Sequence, residues 1–219
     1  MCRLAMMNNE GISYIERHYG LENLFDYLEM QLGGHGNGVC IIYNDGSYYI
    51  NKGVNLNNKA IVDTIMDEIS DIKWVIYHTR LASVGNVSDS NCHPFEDKGR
   101  VIAMNGTERN YTVVSKFKTD TENILLSTDD IMEGTKKYNS VFLGYENGKV
   151  FANRNNGSLE CIILGNGGKI FASTFPNYYY DNEAVYVAPP CFVEGKNMKP
   201  LVNAQKKWSY NGRWNGYAW

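Results

Sequence analysis

Position 2 is a cysteine, small enough that the initiator methionine is normally removed ahead of it, which would leave Cys2 with a thiol and a free α-amine on one residue. That pairing supplies a nucleophile and its base together. An α-amine has a pKa of about 8, so its neutral form is accessible at working pH and can take the thiol proton as sulfur attacks. A Met-Cys start alone is a weak signal, so the other polar clusters matter. Two short apolar runs, 74–77 and 100–104, lead straight into chemically loaded residues: His78, Thr79 and Arg80 after the first, Asn105 and Gly106 after the second. Strand ends are where a rigid scaffold presents chemistry. Each cluster has a plain reading when taken singly. Arg80 and Asp120 fit a surface ion pair, His93-Pro94 a turn, and Asn105-Gly106 the tip of a hairpin. His78 reads as structural rather than as a general base. Cys92 and His93 are adjacent, and sequence neighbours rarely point at one ion, so no metal site is expected.

Their order along the chain changes the reading. Met-Cys-Arg-Leu opens the sequence, and a Gly-rich His35-Gly-Asn-Gly38 enters a strand. His78-Thr-Arg80 follows, with Ala82-Ser83 and Gly85 after it, then Asn91-Cys-His-Pro-Phe95, Asn105-Gly106 and Thr119-Asp-Thr-Glu122. This series, spanning residues 1 to about 125, resembles the glutaminase domain of class II glutamine amidotransferases, which are N-terminal nucleophile hydrolases. The resemblance implies that Cys2 attacks the side-chain amide carbon of glutamine, expels ammonia and leaves a glutamyl thioester that water hydrolyses. It implies an oxyanion hole from the Asn105 side chain and the Gly106 N–H. It assigns Arg80 to the α-carboxylate of glutamine, Asp120 to the α-ammonium, Ser83 to support of the carboxylate, and His93 to the loop around the site. Two departures stand out. Only 15 positions separate Asn105 from Asp120, so the helix that usually follows Asn-Gly is expected to be truncated or missing, with Asp129 and Asp130 as fallback carboxylates. Leu81 stands where an aromatic is common in one branch.

The elements that must hold these residues are partly legible. Leu21, Leu24, Phe25, Leu28 and Leu32 are spaced for one face of a helix that Gly33-Gly34 stops. Residues 39–43 and 47–50 flank Asn44-Asp45-Gly46 as a hairpin. Ile61, Val62, Ile65, Met66 and Ile69 predict a second helix, with Asn57 or Asn58 as N-cap. Two more hairpins are expected, 141–145 with 149–153 across Asn147-Gly148, and 161–164 with 169–173 across residues 165–168. Hairpins with inserted helices predict stacked, largely antiparallel sheets covered by helices. The family resemblance sharpens this to an α+β, four-layer αββα sandwich over residues 1–195, followed by a basic aromatic tail, 196–219.

The bulk properties set bounds. A chain of 219 residues with 43% hydrophobic residues can bury a real core, as one domain of generous size or two small ones at most. A formal charge of −3 argues against a surface built to condense on nucleic acid or anionic lipid. No apolar run approaches a membrane span or a secretory signal, and five scattered cysteines form no disulfide framework, so the expected setting is a reducing cytoplasm. No cofactor fingerprint is present. The motifs and hairpins consume nearly all of the length. The leading expectation is therefore a stand-alone amidotransferase-type hydrolase that hands ammonia from glutamine to a separate synthase. Alternatives are a hydrolase of another γ-glutamyl or related amide, and a retired glutaminase fold acting as a binding module. The tail, with Trp208, Tyr210, Trp214, Tyr217 and Trp219 among its basic residues, is open to three readings: folding back on the domain, docking on a partner enzyme or, the least favoured, stacking on single-stranded nucleic acid.

Overall fold

A computed structural model of the chain describes residues 2–109, 119–199 and 202–204. Seven strands form one sheet: β1 (Arg3–Asn8), β2 (Asn37–Tyr43), β3 (Tyr48–Gly53), β4 (Ile72–Thr79), β9 (Glu160–Ile163), β10 (Lys169–Ala172) and β11 (Val185–Val187). Their order is β11-β9-β10-β1-β4-β2-β3, which places β1 in the interior between β10 and β4. A second sheet runs β12 (Cys191–Val193), β8 (Lys149–Arg154), β7 (Val141–Glu146), β6 (Arg100–Asn105), β5 (Phe95–Asp97). The pairings among these strands are antiparallel.

Alternation along the strands decides which residues fill which layer. On β1, Leu4 and Met6 point between the sheets, where they meet Val101, Ala103, Val141 and Leu143 of the second sheet. Ala5 and Met7 point the other way, into a cluster with Ile12, Ile15, Leu24, Phe25, Leu28, Ile61 and Ile65. That cluster lies under α1 (Asn9–Tyr19), α2 (Leu21–Leu32) and α3 (Asn58–Asp67), joined by Tyr179 of α6 (Asn177–Asn182). On the far face of the second sheet, Ile102, Met104, Phe142 and Phe151 pack on Ile124 and Leu125 of α4 (Asp120–Ser127) and Ile131 of α5 (Ile131–Gly134). The layer order is helix, sheet, sheet, helix. This is the four-layer α+β sandwich expected from the resemblance.

Local chemistry sets the boundaries. Asn8 caps α1 by accepting from the Gly11 N–H, and Gly20, at φ +78°, ends α1 and lets α2 start at once. Asn57, one of the two expected caps, accepts from the Ala60 N–H at the start of α3. Buried on both faces, β1 and β4 read as runs of apolar residues rather than as alternation. Within the described residues no helix is long and apolar enough to cross a membrane. Residues 202–204 run along the outer edge of β11 through a bridge between Tyr186 and Asn203. The remainder of the aromatic tail, 205–219, lies outside the described residues, as does the segment 110–118 where the shortened helix was expected.

Candidate active site

Three strand ends converge. Cys2 immediately precedes β1, Arg80 immediately follows β4, and Asn105 is the last residue of β6 in the opposing sheet. β1 pairs with β4 so that Arg3 lies opposite Thr79, which brings Cys2 beside Arg80. At this end the two sheets are joined beside Cys2 by a hydrogen bond in which the Cys2 backbone nitrogen donates to Asn105 Oδ1 at 3.0 Å. With Oδ1 so engaged, Asn105 Nδ2 has no hydrogen-bond partner among the described residues. The Cys2 Sγ lies 3.7 Å from the Leu81 carbonyl oxygen. Burial pushes the Cys2 thiol pKa up, against hydrogen bonding to the Leu81 backbone and the nearby Arg80 charge, which pull it down. Burial thus favours the neutral thiol over the thiolate at this position.

Gly106 follows at a position where no side chain fits. A Cβ there would stand 2.1 Å from Ser140 Oγ and 2.6 Å from Ser140 Cβ. Ser140 in turn donates to Glu108 Oε1 at 2.5 Å. The Glu108 N–H donates to Asp120 Oδ2 at 2.8 Å, and the Thr121 N–H donates to Asp120 Oδ1 at 3.0 Å. Asp120 opens α4, whose N-cap Thr119 accepts from the Glu122 N–H. Burial holds the Asp120 carboxyl above its ordinary pKa in spite of those backbone donors. A buried carboxylate in that condition gains from an incoming cation.

Arg80 is almost fully buried and already partly engaged. Its Nη2 donates to the Val84 carbonyl at 2.7 Å and its Nη1 to the Asn86 carbonyl at 2.8 Å, which folds residues 81–86 over the guanidinium. The Gly-rich segment braces this loop. The His35 N–H donates to the Arg80 carbonyl, the Arg80 N–H to the Gly36 carbonyl, and the Ala82 N–H to His35 Nδ1. Ser83 reaches Thr107 Oγ1 at 2.9 Å, tying the loop to the residue after Gly106.

Cys2, Arg80, Ser83, His93, Gly106 and Asp120 line one narrow cleft, with Leu81, Val84, Met104, Thr119 and Thr121 between them. Asn105 touches it through Cys2. Asp129 and Asp130 are not among these residues: both are exposed, and Asp130 caps α5 by accepting from the Glu133 N–H. Cys92 and His93 diverge, since the Cys92 thiol turns to the Ser88 carbonyl while the His93 ring stacks on His78. No three His, Cys, Asp or Glu side chains gather as metal ligands among the described residues. A wider cleft of about 480 Å³ opens at the other end of β1, lined by Asn8, Lys73, Trp74, Phe192 and Glu194, and brings no nucleophile together with oxyanion donors.

Sequence reasoning missed Thr107, Glu108, Ser140 and the bracing role of His35. Thr107 and Glu108 directly follow Asn105-Gly106, so their place was open to inference. Nothing local marks Ser140, which meets Gly106 only through the pairing of β6 with β7.

No family model and no curated protein matches the chain. Among solved structures it is similar to glutamine phosphoribosylpyrophosphate amidotransferase from B. subtilis, complexed with ADP and GMP. The TM-score is 0.52 at 14% identity, over 90% of this chain and 50% of that one. It is also similar to a glutamine aminotransferase class-II domain protein from Silicibacter pomeroyi, with TM-score 0.47 and 12% identity over 91% of this chain and 100% of that one. A predicted glutamine amidotransferase from Pseudomonas aeruginosa gives TM-score 0.35 and 14% identity over 92% and 87%. The first likeness shows a shared fold, and the chain spans half the length of that enzyme.

Proposed function

We propose that the chain is a class II glutamine amidotransferase-type hydrolase that releases ammonia from glutamine through a Cys2 thioester. The observation that carries this reading is the contact between the Cys2 nitrogen and Asn105 Oδ1 at 3.0 Å, in a cleft that also holds Arg80 and Asp120. One cation and one anion flanking a nucleophile are the complement of an amino acid's carboxylate and ammonium.

The placement supports the following steps. With Met1 removed, the Cys2 α-amine takes the thiol proton as Sγ attacks the amide carbon, and the carbonyl oxygen becomes an oxyanion beside Asn105 Nδ2 and the Gly106 N–H. Each pre-aimed donor of this kind contributes about 3 to 4 kcal/mol to barrier lowering. The ammonium formed at the N-terminus returns its proton to the departing nitrogen, and ammonia leaves. Water, deprotonated by the same amine, then cleaves the thioester to release glutamate and restore the thiol. Burial of the thiol supports this sequence, because a sulfur held protonated needs a base at hand, and the atom that would become the amine is the one held by Asn105. The ammonia is passed to a separate synthase. All five cysteines are free, which suits a cytoplasmic setting. The test is ammonia release from glutamine by Met1-free protein, with Cys2→Ala as control. Turnover that falls at least about 1,000-fold in Cys2→Ala is expected, and equal turnover would remove Cys2 from the chemistry.

A further inference from the structure

The second sheet runs out just before the site. β5 pairs with β6 as Phe95 to Ile102, Glu96 to Val101 and Asp97 to Arg100, a register that would set the backbone of His93 opposite Met104. Two imidazoles take that place instead. His93 Nδ1 accepts the Met104 N–H at 3.2 Å, and His78 Nε2 lies 3.2 Å from the Met104 carbonyl, to which it donates. The rings stack with centroids 4.1 Å apart and planes 20° from parallel, and both side chains are buried.

The two histidines come from different layers. His78 lies on β4 of the seven-stranded sheet, between Leu4 of β1 and Gly38 of β2. Gly38 makes room for His93, since a Cβ there would stand 2.0 Å from the His93 carbonyl oxygen. A closed circuit results: from Cys2 along β1 to Leu4, across to His78, over to Met104, on to Asn105, and back to the Cys2 nitrogen. We propose that the stacked His78–His93 pair is a positioning device that clamps the Met104 peptide and thereby sets the Asn105 amide and the Gly106 N–H against Cys2. This rests on the glutaminase reading and adds two residues that touch neither thiol nor substrate in the steps above.

Two further observations support it. His78 Nδ1 is buried with no hydrogen-bond partner among the described residues, a cost that an apolar residue filling the same space would avoid. Burial also holds both rings neutral, with His78 pushed down to about 3, so neither shuttles protons at working pH. Neutrality is what the clamp requires, because a protonated Nδ1 on His93 has no lone pair for the Met104 N–H.

The test uses side chains that copy one ring nitrogen each. Asparagine can place an amide oxygen near the position of Nδ1, and glutamine an amide nitrogen near that of Nε2, whereas leucine offers neither. In the full chain, His93→Leu and His78→Leu should lower kcat about 100-fold, the scale of one misplaced oxyanion donor, with KM for glutamine changed less than about threefold. Inhibition by glutamate γ-semialdehyde, whose thiohemiacetal oxygen uses the same hole, should weaken by the same factor. His93→Asn and His78→Gln should recover to within about tenfold of wild type. Folded leucine variants that keep kcat, or that lose KM and kcat together, overturn the clamp. If leucine fails to fold, the amide variants decide: recovery with unchanged KM upholds the clamp, and a loss as large as 100-fold overturns it. A wild-type protein that releases no ammonia overturns the glutaminase reading and the inference with it; an active wild type with indifferent leucine variants overturns the clamp alone.

Discussion

At Cys2 two demands oppose each other. Burial favours the neutral thiol, while attack on an amide requires the thiolate, so under the proposed mechanism turnover follows the protonation of the nearby amine. Glutaminase kcat/KM should rise with pH through an apparent pKa of about 8, the ordinary range of an α-amine. A pH profile on Met1-free protein checks this, and an acid-favoured profile across that range is inconsistent with an amine base. In the proposed reaction Arg80 and Asp120 hold the two ends of the amino acid. Arg80→Lys keeps a charge but loses the planar fork that holds both the 81–86 loop and, in this account, the α-carboxylate, so KM for glutamine should rise roughly 10-fold or more, further than kcat falls. Asp120 has a raised pKa, and only its ionised form attracts an ammonium. As pH falls through that raised value KM should climb, at a higher pH than an ordinary carboxylate would allow. In Asp120→Asn, KM should be high throughout and this acid limb absent; initial-rate kinetics across the acid range reads both.

Elements carry the site by where they end. β4 and β6 were legible because their apolar runs stop abruptly at polar clusters, and α2 and α3 because their buried leucines and isoleucines recur at helical spacing. α1 was not, since Ile12 and Ile15 are its only large buried apolar residues in an otherwise polar stretch. α4 has a readable start in Thr119 and Glu122, which stand at the spacing of a capping box. β5, β11 and β12 have three residues each, too short for a periodic signal. The cluster of Cys2, Arg80, Ser83, His93, Gly106 and Asp120 followed from the order of the motifs, whereas the contact of Ser140 with Gly106 needed the strand register. That contact is testable by compensation. Gly106→Ala should unfold more readily, by about 1 to 3 kcal/mol as overpacking costs, and adding Ser140→Gly should recover part of the loss in denaturant melts. No recovery would mean that Ser140 is not what excludes a side chain at Gly106.

Across the whole molecule, protonation links the site to stability. His78 and His93 are neutral in the folded chain and take up protons near pH 6.5 once unfolded. The unfolded state therefore binds more protons below that pH. Stability present above pH 6.5 should be lost as pH falls toward the depressed folded values, by up to about 1.4 kcal/mol per pH unit for each histidine. Denaturant midpoints at pH 7 and pH 5 check it, with a smaller drop expected in the His78→Gln, His93→Asn double variant. The tail belongs to this scale too. Every residue assigned to the chemistry precedes residue 205, so removing residues 205–219 should leave turnover nearly intact and, if the tail docks on a partner synthase, weaken its capture in a pull-down.

The most direct measurement is the intact mass of the protein after reaction with a diazo-ketone analogue of glutamine, followed by peptide mapping. Such a reagent needs both a bound amino-acid framework and an adjacent activated thiol. The expected product is a chain lacking Met1 and carrying one adduct, mapped to Cys2 and suppressed by excess glutamine. An adduct on Cys92 or Cys161 instead, or labelling of Cys2 that glutamine does not suppress, would rule out Cys2 as the glutamine-directed nucleophile.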